Sequence, residues 1–411
     1  MGCDNKAIKL FIFFGALFCD WFAYFYQTLA NIYRLCYLFT GFYNRMRIGI
    51  LKEIEDSRVA LAPDVASLLI KEGHEIFIES GAGETAFFND EAYKNVGGNI
   101  GGNANEVLSI IDLIVSLNPI EESLWKSLKP GAIMISCFQP YVDHTLTDKL
   151  QKESFTVFSL DMIPRTTLAQ SMDVLSSMAS IAGYRAVLEA AEHLPRYYPM
   201  LSSAAGTVAP ARVLVIGAGV AGLQAIATSK RLGAIVEVFD TRAASKEEVQ
   251  SLGAKFIEVE GAKDDKSAGG YAVEQTEEYK QKQLELIAEK ASKADVIITT
   301  AQVRGPKAPI LITKEVVEQM RPGSVIVDLA ASTGGNCELT INNKVIRHHD
   351  VTIVGNSNLA AKVSVNASQM FGKNVFNFLK PMIKEGKFAP DWENIIVKES
   401  CIAKPVGAAI S

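Results

Sequence analysis

Short apolar runs alternate with amphipathic segments along most of the chain from Met46 onward. The runs are rich in Val and Ile, as in strands buried on both faces of a parallel sheet, and helical periodicity separates them. The pattern predicts an α/β fold with two doubly wound, Rossmann-like parallel sheets linked by long helices. The expected strands are Arg47–Leu51, His74–Glu79, Ile111–Leu117, Ala132–Cys137, Thr156–Leu160, Val213–Ile216, Ile235–Phe239, Phe256–Val259, Val296–Thr300, Ser324–Leu329 and Val351–Val354.

Two domains follow from the spacing of these runs. A proline-free helical pattern from Ser171 to Leu194 predicts a long helix that crosses from one domain to the other. We expect a first domain over residues 46–175 and a second over residues 176–364. A helix from Ser364 to about Lys384, then irregular chain, is expected to return so that residues 365–411 complete the first domain.

The first 45 residues differ from the rest of the chain. They are rich in aromatic residues, and Asp20 interrupts their main apolar run, so no apolar span of about 20 residues forms a good membrane helix. A small-residue cleavage site typical of a signal peptide is also missing. Because Met46 directly precedes the first strand, we expect residues 1–45 to be an upstream extension outside the mature fold.

Composition narrows the class of protein. The 411 residues carry a net charge of −5, which gives no basic surface for nucleic acid. The six cysteines show no CxxC spacing, so they are interpreted as reduced thiols and not as a zinc or disulfide framework. Only two of the five histidines, His348 and His349, are adjacent. We interpret this pair as a solvated strand end or turn and predict no metal site.

The stretch after the strand Val213–Ile216 has the glycine spacing of a dinucleotide-binding turn. Gly217 allows a tight turn, Gly219 lets a pyrophosphate approach the backbone, and Gly222 packs helix on strand. The helix that follows offers free N–H groups and a positive dipole end to phosphates. Asp240 ends the next strand, where an acid accepts hydrogen bonds from ribose hydroxyls. The stretch predicts a site that favours NAD over NADP.

Two further stretches are candidates for the site. Residues 261–283 begin as a glycine-rich, charged loop of a length usually found in a lid or a disordered segment. Before the long helix, Arg165, Gln170 and Asp173 form a polar cluster, and the last two could share a helical face. The cluster is either a solvated helix start or a set of side chains that face a nicotinamide across an interdomain cleft.

These stretches resemble one family in the same order. The matching segments are Arg165–Asp173 with Leu175-Ser176-Ser177, Val213–Arg242, Gly269-Gly270-Tyr271-Ala272, and Asp328-Leu329-Ala330 with Gly334-Gly335-Asn336-Cys337. From Met46 to about Val397 the chain resembles the NAD(H)-binding component (domain I, alpha-1 subunit) of proton-translocating NAD(P) transhydrogenases. The resemblance implies hydride transfer from NADH, bound by this chain, to NADP bound by a separate subunit.

The resemblance also assigns residues. It places the catalytic positions near the nicotinamide at Arg165, Gln170 and Asp173, with Ser176 close by. It implies further cofactor contacts at Gly219, Val220, Asp240, Arg242, Gly270, Gln283 and Gln302. The last position is commonly apolar in the family, so its contact is expected through the backbone. Tyr271 matches the tyrosine of a mobile loop that closes over the nucleotide, which favours a lid over disorder.

Partners follow from the same resemblance. It implies an NADP-binding subunit (domain III), membrane subunits that couple the exchange to proton movement, and a homodimer. Since no apolar span follows the matched region, we expect these parts to be separate polypeptides. The chain is then expected to be cytoplasmic, held at the inner membrane through its partners.

Alanine dehydrogenase, which has a similar fold, is the alternative. The pattern Lys52-Glu53 followed by Arg58-Val59-Ala60 resembles that family as well. Such an enzyme needs a lysine and a histidine for its substrate, and the matching positions lie in Ser116-Leu117-Asn118-Pro119 and Cys137-Phe138-Gln139-Pro140. Neither residue type occurs there, so a proton transfer at the substrate carbon has no evident base. A third possibility is a catalytically idle NAD-binding module.

Overall fold

Two seven-stranded sheets, each flanked by helices, make up the fold. The computed structural model describes residues 45–142, 144–259, 276–302 and 307–405. The expected extension up to residue 44 and the lid positions Gly270 and Tyr271 lie outside the described residues. Within the described ranges, no helix is both long and apolar enough to cross a membrane.

The described segments contain the following elements. The strands are β1 Arg47–Ile50, β2 Glu75–Glu79, β3 Asn99–Gly101, β4 Leu113–Val115, β5 Ile133–Ser136, β6 Thr156–Ser159, β7 Leu201–Ser203, β8 Gly206–Val208, β9 Arg212–Ile216, β10 Ile235–Phe239, β11 Lys255–Ile257, β12 Val296–Thr299, β13 Val325–Asp328, β14 Val345–His348, β15 Val351–Val354, β16 Ile383–Lys384, β17 Lys387–Phe388 and β18 Cys401–Ala403. The helices are α1 Pro63–Lys71, α2 Asp90–Asn95, α3 Ala104–Ile110, α4 Glu122–Trp125, α5 His144–Lys152, α6 Val174–His193, α7 Val220–Arg231, α8 Ser245–Ser251, α9 Glu277–Ala291, α10 Lys314–Glu318, α11 Ser364–Leu379 and α12 Ile395–Ser400.

Both sheets are doubly wound, as predicted from the sequence. The first runs β18-β6-β5-β4-β1-β2-β3 and the second β11-β10-β9-β12-β13-β15-β14. In each, the chain turns back at a central pair of strands, β1 with β4 and β9 with β12, which pair in parallel. At such a switch point a crevice opens at the carboxyl edge of the sheet, where ligands bind in folds of this class.

One edge strand of each sheet departs from the prediction of purely parallel sheets. Strand β14 pairs antiparallel with β15, and β18 pairs antiparallel with β6. Strand β14 carries exposed or half-buried side chains, so it lacks the apolar run by which the buried strands were recognised. The chain after Lys384, expected to be irregular, instead forms strand β17, helix α12 and strand β18. The sheets are therefore mixed, although parallel pairing dominates.

Helix α6 joins the two apolar cores. It spans 20 residues, or about 30 Å. Val174 at its start packs in the core beneath the first sheet, whereas Ala186, Val187 and Ala190 belong to the core beneath the second sheet. Halfway along, Gly183 lies so close to helix α7 that a Cβ there would stand 2.1 Å from the carbonyl oxygen of Ala221. The long connecting helix is thus fixed against α7, the helix that follows the glycine turn, by a contact between backbones.

A buried ion pair links the two halves. The guanidinium of Arg58 lies 2.5 Å from a carboxylate oxygen of Asp56, and both side chains also hydrogen-bond to Asn358, beyond β15 of the second sheet. The same guanidinium donates to the Sδ atom of Met178 on α6. Burial alone would raise the pKa of Asp56, but the hydrogen bonds and charge of Arg58 outweigh burial and lower it. The pair therefore stays ionised at neutral pH.

Substitution of Gly183 tests the contact between α6 and α7. Alanine within a helix normally stabilises by about 0.5–1 kcal/mol relative to glycine. At Gly183 we expect alanine instead to lower the free energy of unfolding by about 1–3 kcal/mol, because a Cβ would overlap the Ala221 carbonyl. Urea denaturation measures the difference. Gly372→Ala on α11 is the control: its nearest neighbours would be 3.2 Å away, so its cost should be clearly smaller. Stabilisation by Gly183→Ala would disprove the contact.

Candidate functional site

The glycine turn after β9 is shaped by two close approaches. Gly217 has a φ of +100°, and a Cβ on it would lie 2.4 Å from the Oγ1 atom of Thr300. A Cβ on Gly222 would lie 1.9 Å from the carbonyl oxygen of Gly217. Thr300 Oγ1 also donates a hydrogen bond to that oxygen over 3.0 Å. At positions 217 and 222 the packing of the protein itself therefore requires glycine.

Gly219 differs from the other two glycines. No heavy atom lies within 4 Å of a Cβ built there, so the space beside its backbone is open. It is the N-cap of α7, and the first residue of that helix, Val220, is 42 % exposed. The unpaired N–H groups and positive dipole end of the helix favour an anion. This opening leaves room for a phosphate at the backbone, and the binding of one there stays a prediction.

Asp240, which directly follows strand β10, hydrogen-bonds to the glycine turn. Its carboxylate accepts hydrogen bonds from the amide of Ala218 over 2.6 Å and from the amide, Nε and Nη2 of Arg242 over 2.8–2.9 Å. The structure therefore brings Asp240, Arg242 and the turn together. Because Arg242 and the turn already engage both oxygens, a ribose hydroxyl would share the carboxylate with them.

Helix α9 contributes a residue beside Asp240 that the sequence did not single out. Tyr279 is buried, and burial together with the charge of Asp240 raises the pKa of its phenol. One turn later Gln283, a predicted contact, is also buried. Tyr279 and Gln283 are four residues apart and share a helix face toward the second sheet. In the sequence, only its four-residue helical spacing from Gln283 could have indicated that Tyr279 lies at this site.

A second carboxylate organises the loops beyond β12 and β13. Asp328 is fully buried and accepts hydrogen bonds from side chains and amides; the donors are Thr299, Ala330, Asn336, Cys337 and Thr340. Asn336 in turn pairs with the backbone of Ala301, at the end of β12. The next residue, Gln302, is exposed, and its side chain donates to Thr333. Asp328 thus positions the loop that carries Gln302.

The polar stretch before α6 differs in shape from its prediction. Gln170 lies in a 3₁₀ turn, Thr167–Met172, whereas Asp173 is the N-cap of α6 in extended conformation. The expectation of a common helical face is therefore wrong, because capping places Asp173 outside the helix. Its carboxylate accepts hydrogen bonds from the amide and hydroxyl of Ser176 over 2.9 and 2.6 Å. Arg165 and Gln170 are exposed.

The predicted residues form two groups in the structure. The first is built around Asp240 and Arg242 at the glycine turn, and the second is the pair Asp173 and Ser176. Among the hydrogen bonds of residues 45–142, 144–259, 276–302 and 307–405, none that the structure shows joins Gln170 to the group at Asp240. The two groups are connected through α6, whose midpoint contacts the start of α7.

The carboxyl edge of the first sheet holds a further carboxyl group. Glu53, after β1, accepts hydrogen bonds from the amides of Leu117 and Asn118 and from the side chain of Asn118. Burial raises the pKa of Glu53 from 4.5 to about 7, outweighing these hydrogen bonds. Nearby, the amide of Gln139 donates to Asp161. From the sequence, Glu53 stood out only as part of the Lys52-Glu53 motif. Its environment could not be predicted, because it depends on the loop after β4.

The raised pKa of Glu53 predicts a pH dependence of stability. A carboxyl that holds its proton more tightly when folded contributes stability below pH 4.5, and this contribution is lost as the pH rises through about 7. Between pH 4.5 and pH 8, we expect the free energy of unfolding of wild type to fall by about 1–3 kcal/mol relative to that of Glu53→Gln. Urea denaturation at each pH measures both values. Glu55→Gln, at an exposed neighbour, should show no such trend. A difference independent of pH would contradict the assignment.

Two family models together match nearly the whole described chain. Residues 49–182 match the model described as alanine dehydrogenase/PNT, N-terminal domain. Residues 186–406 match the model described as alanine dehydrogenase/PNT, C-terminal domain. The boundary between the two models falls within helix α6, the element that contacts both cores.

Individual relatives place the chain within this family. It is 42 % identical over 365 residues to the first of the chains that make up NAD(P) transhydrogenase subunit alpha in Rickettsia prowazekii, covering 87 % of this chain and 95 % of that protein. The crystal structure of transhydrogenase from Sinorhizobium meliloti superposes with a TM-score of 0.80 at 38 % identity, covering 87 % of this chain and 99 % of the other. Alanine dehydrogenase of Mycolicibacterium smegmatis is more distant, at 28 % identity over 87 % of this chain and 92 % of that protein. The chain belongs to the alanine dehydrogenase/PNT family, among its NAD(P) transhydrogenase alpha subunits.

Proposed function

We propose that this chain is the NAD(H)-binding subunit of a Re/Si-specific, proton-translocating NAD(P) transhydrogenase. It binds NADH at the carboxyl edge of the second sheet and presents it for hydride transfer to NADP⁺ held by a separate subunit. The observation that carries the proposal is the open space beside Gly219, at the switch point of the second sheet. The similarity of the chain to NAD(P) transhydrogenase alpha subunits supports it. Bound NAD(H) supplies the hydride chemistry, and the chain supplies position and exclusion of water.

The dinucleotide is held from several elements. Gly219 and the first turn of α7, whose first N–H groups have no partner within the helix, would hold the pyrophosphate. Asp240 and Arg242, which form an ion pair with each other, would hold the ribose. The full set of proposed cofactor contacts is Arg165, Gln170, Asp173, Ser176, Gly217, Gly219, Val220, Gly222, Asp240, Arg242, Gly270, Tyr271, Gln283 and Gln302.

The nicotinamide end is proposed to lie at the turn before α6. Gln170 is exposed there, and its neighbour Leu168 is 82 % exposed, so the turn presents its side chains outward. An outward position suits transfer to a cofactor held by another protein. Arg165, Gln170 and Asp173 are the proposed catalytic residues: they orient the ring without exchanging protons, since hydride transfer between nicotinamides requires no acid or base.

The first sheet supports this function over that of an alanine dehydrogenase. The two loops where that enzyme would carry its lysine and histidine, Ser116–Pro119 and Cys137–Pro140, contain neither residue type, and their amide side chains are Asn118 and Gln139. Asn118 donates to Glu53, and the amide of Gln139 donates to Asp161, so both loops are engaged in local hydrogen bonds. An amide side chain cannot take up a proton at neutral pH. Neither position offers a general base for an amino acid substrate.

The proposed partners are those of the transhydrogenase. An NADP-binding subunit accepts the hydride, and membrane subunits couple the exchange to proton movement. We propose that the chain works as a homodimer, held through these subunits at the cytoplasmic face of the inner membrane. The names of the related alpha subunits support a multisubunit assembly.

Gln170→Asn tests the catalytic assignment. Shortening the side chain should slow hydride transfer at least tenfold, because the ring is no longer oriented, while the Kd for NADH changes less than threefold. Reduction of acetylpyridine-NADP by NADH, with an NADP-binding subunit added, measures the first quantity, and NADH fluorescence the second. Gln250→Asn, an exposed residue on α8, is the matched control and should change neither.

Two outcomes would contradict this proposal. An equal loss of NADH affinity and hydride transfer would show that Gln170 only binds the cofactor. NADH oxidation that depends on pyruvate and ammonia, without reduction of the NADP analogue, would instead identify an alanine dehydrogenase.

A further inference from the structure

Three potential metal ligands meet at the outer edge of the second sheet. His348 ends strand β14, His349 lies in the turn to β15, and Glu318 ends the neighbouring helix α10. One ligand atom from each residue lies within 4.8 Å of the other two. The two histidines lie at a strand end and in the turn after it, as predicted from the sequence. Glu318, 30 residues before His348 in the chain, comes beside them only through tertiary packing.

The backbone of the turn brings the two imidazoles together. Consecutive residues in a strand point to opposite faces, so two adjacent histidines would ordinarily diverge. Here His349 and Asp350 have φ values of +46° and +60°, the left-handed conformation of a two-residue hairpin turn. The second ring is thereby turned to the side of the first, and the rings stack with centroids 5.1 Å apart.

The distances approach those of a tetrahedral site. His348 Nε2 lies 3.0 Å and His349 Nε2 lies 4.0 Å from the same oxygen of Glu318. Ligands that bind zinc at about 2.0–2.1 Å are about 3.4 Å apart, so small side-chain rotations would suffice. Two imidazoles and one carboxylate form a donor set that suits zinc and related transition metals, whereas Mg²⁺ and Ca²⁺ favour sites made of oxygen atoms.

Two cationic side chains lie near this cluster. Lys314 Nζ is 3.8 Å from Glu318 Oε1, one turn earlier on α10, and a bound ion would displace it toward solvent, where half of its side chain already lies. Arg347 pairs with Asp350 at 3.0 Å, so its charge is partly neutralised beside the turn. The net charge of the cluster with its neighbours therefore does not prevent a cation from binding.

We propose that Glu318, His348 and His349 bind one divalent transition-metal ion of the zinc class, with water in the remaining position. The ion joins β14 and β15 to helix α10 and so fastens the outer edge of the second sheet. The turn precedes β15, so the site lies at the amino edge of the sheet, opposite the edge that carries Gly219. It is independent of the proposed nucleotide site.

Zinc titration of the tag-free, EDTA-treated full chain tests the proposal. Competition with a chromophoric zinc chelator should show one ion per chain with a micromolar Kd. His348→Ala, His349→Ala and Glu318→Gln should each weaken this binding at least tenfold. His193→Ala, which removes another exposed imidazole at the end of α6, is the control and should leave it unchanged. Zinc should also raise the Tm of wild type but not that of His348→Ala.

The same titration can overturn the proposal. Absence of binding at 100 µM zinc, or binding that all three variants leave intact, would show that the cluster holds no ion. Loss of binding in the histidine variants with full affinity in Glu318→Gln would show that the glutamate is not a ligand. NADH at saturating concentration should not change the zinc affinity, and competition between the two would contradict the placement of the site.

Discussion

The carboxyl edge of the second sheet, where we propose that the nucleotide binds, depends on contacts in which backbone meets backbone with no side chain between. Gly222 brings α7 against the carbonyl of Gly217, and Gly183 brings α6 against the carbonyl of Ala221. These contacts fix α7 between the second sheet and the connecting helix α6. Since interiors pack as densely as crystals, a single methyl group at either glycine would overlap the facing carbonyl oxygen and force the backbone to shift. The location of the opening at Gly219, proposed to receive a phosphate, follows from them.

Carboxylates position the loops around this edge. Asp240 joins the glycine turn to Arg242, Asp328 gathers the donors of the loop after β13, and Asp173 begins α6 as its cap. Each accepts hydrogen bonds from backbone amides, which arranges a loop without requiring an apolar core of its own. In the proposed hydride transfer, such groups would contribute by orientation. Carboxylates that serve as fixed acceptors, and not as proton carriers, are therefore consistent with the proposed function.

The sequence revealed the elements whose signal is local. Buried parallel strands are continuous apolar runs, and the glycine spacing marks a turn, so the two doubly wound sheets and the glycine turn were predicted. Features set by tertiary contacts could not be predicted in this way. Strand β14 is polar because it lies at an edge, and Asp173 caps a helix that was expected to include it. Glu53 is half-buried against a loop 64 residues away in the chain. The contact between Gly183 and Ala221 likewise joins distant residues and leaves no local pattern.

The most direct test of the account is the affinity of Gly219→Ala for NADH, measured together with its unfolding free energy. The ligand, and not the fold, is proposed to require glycine at this position, since a Cβ would meet no protein atom within 4 Å. The unfolding free energy should therefore fall by no more than about 1 kcal/mol, the cost of a weaker N-cap residue. The Kd for NADH should rise at least tenfold, because the added methyl group occupies the approach to the backbone. An affinity within twofold of wild type, in a fully folded variant, would contradict the account.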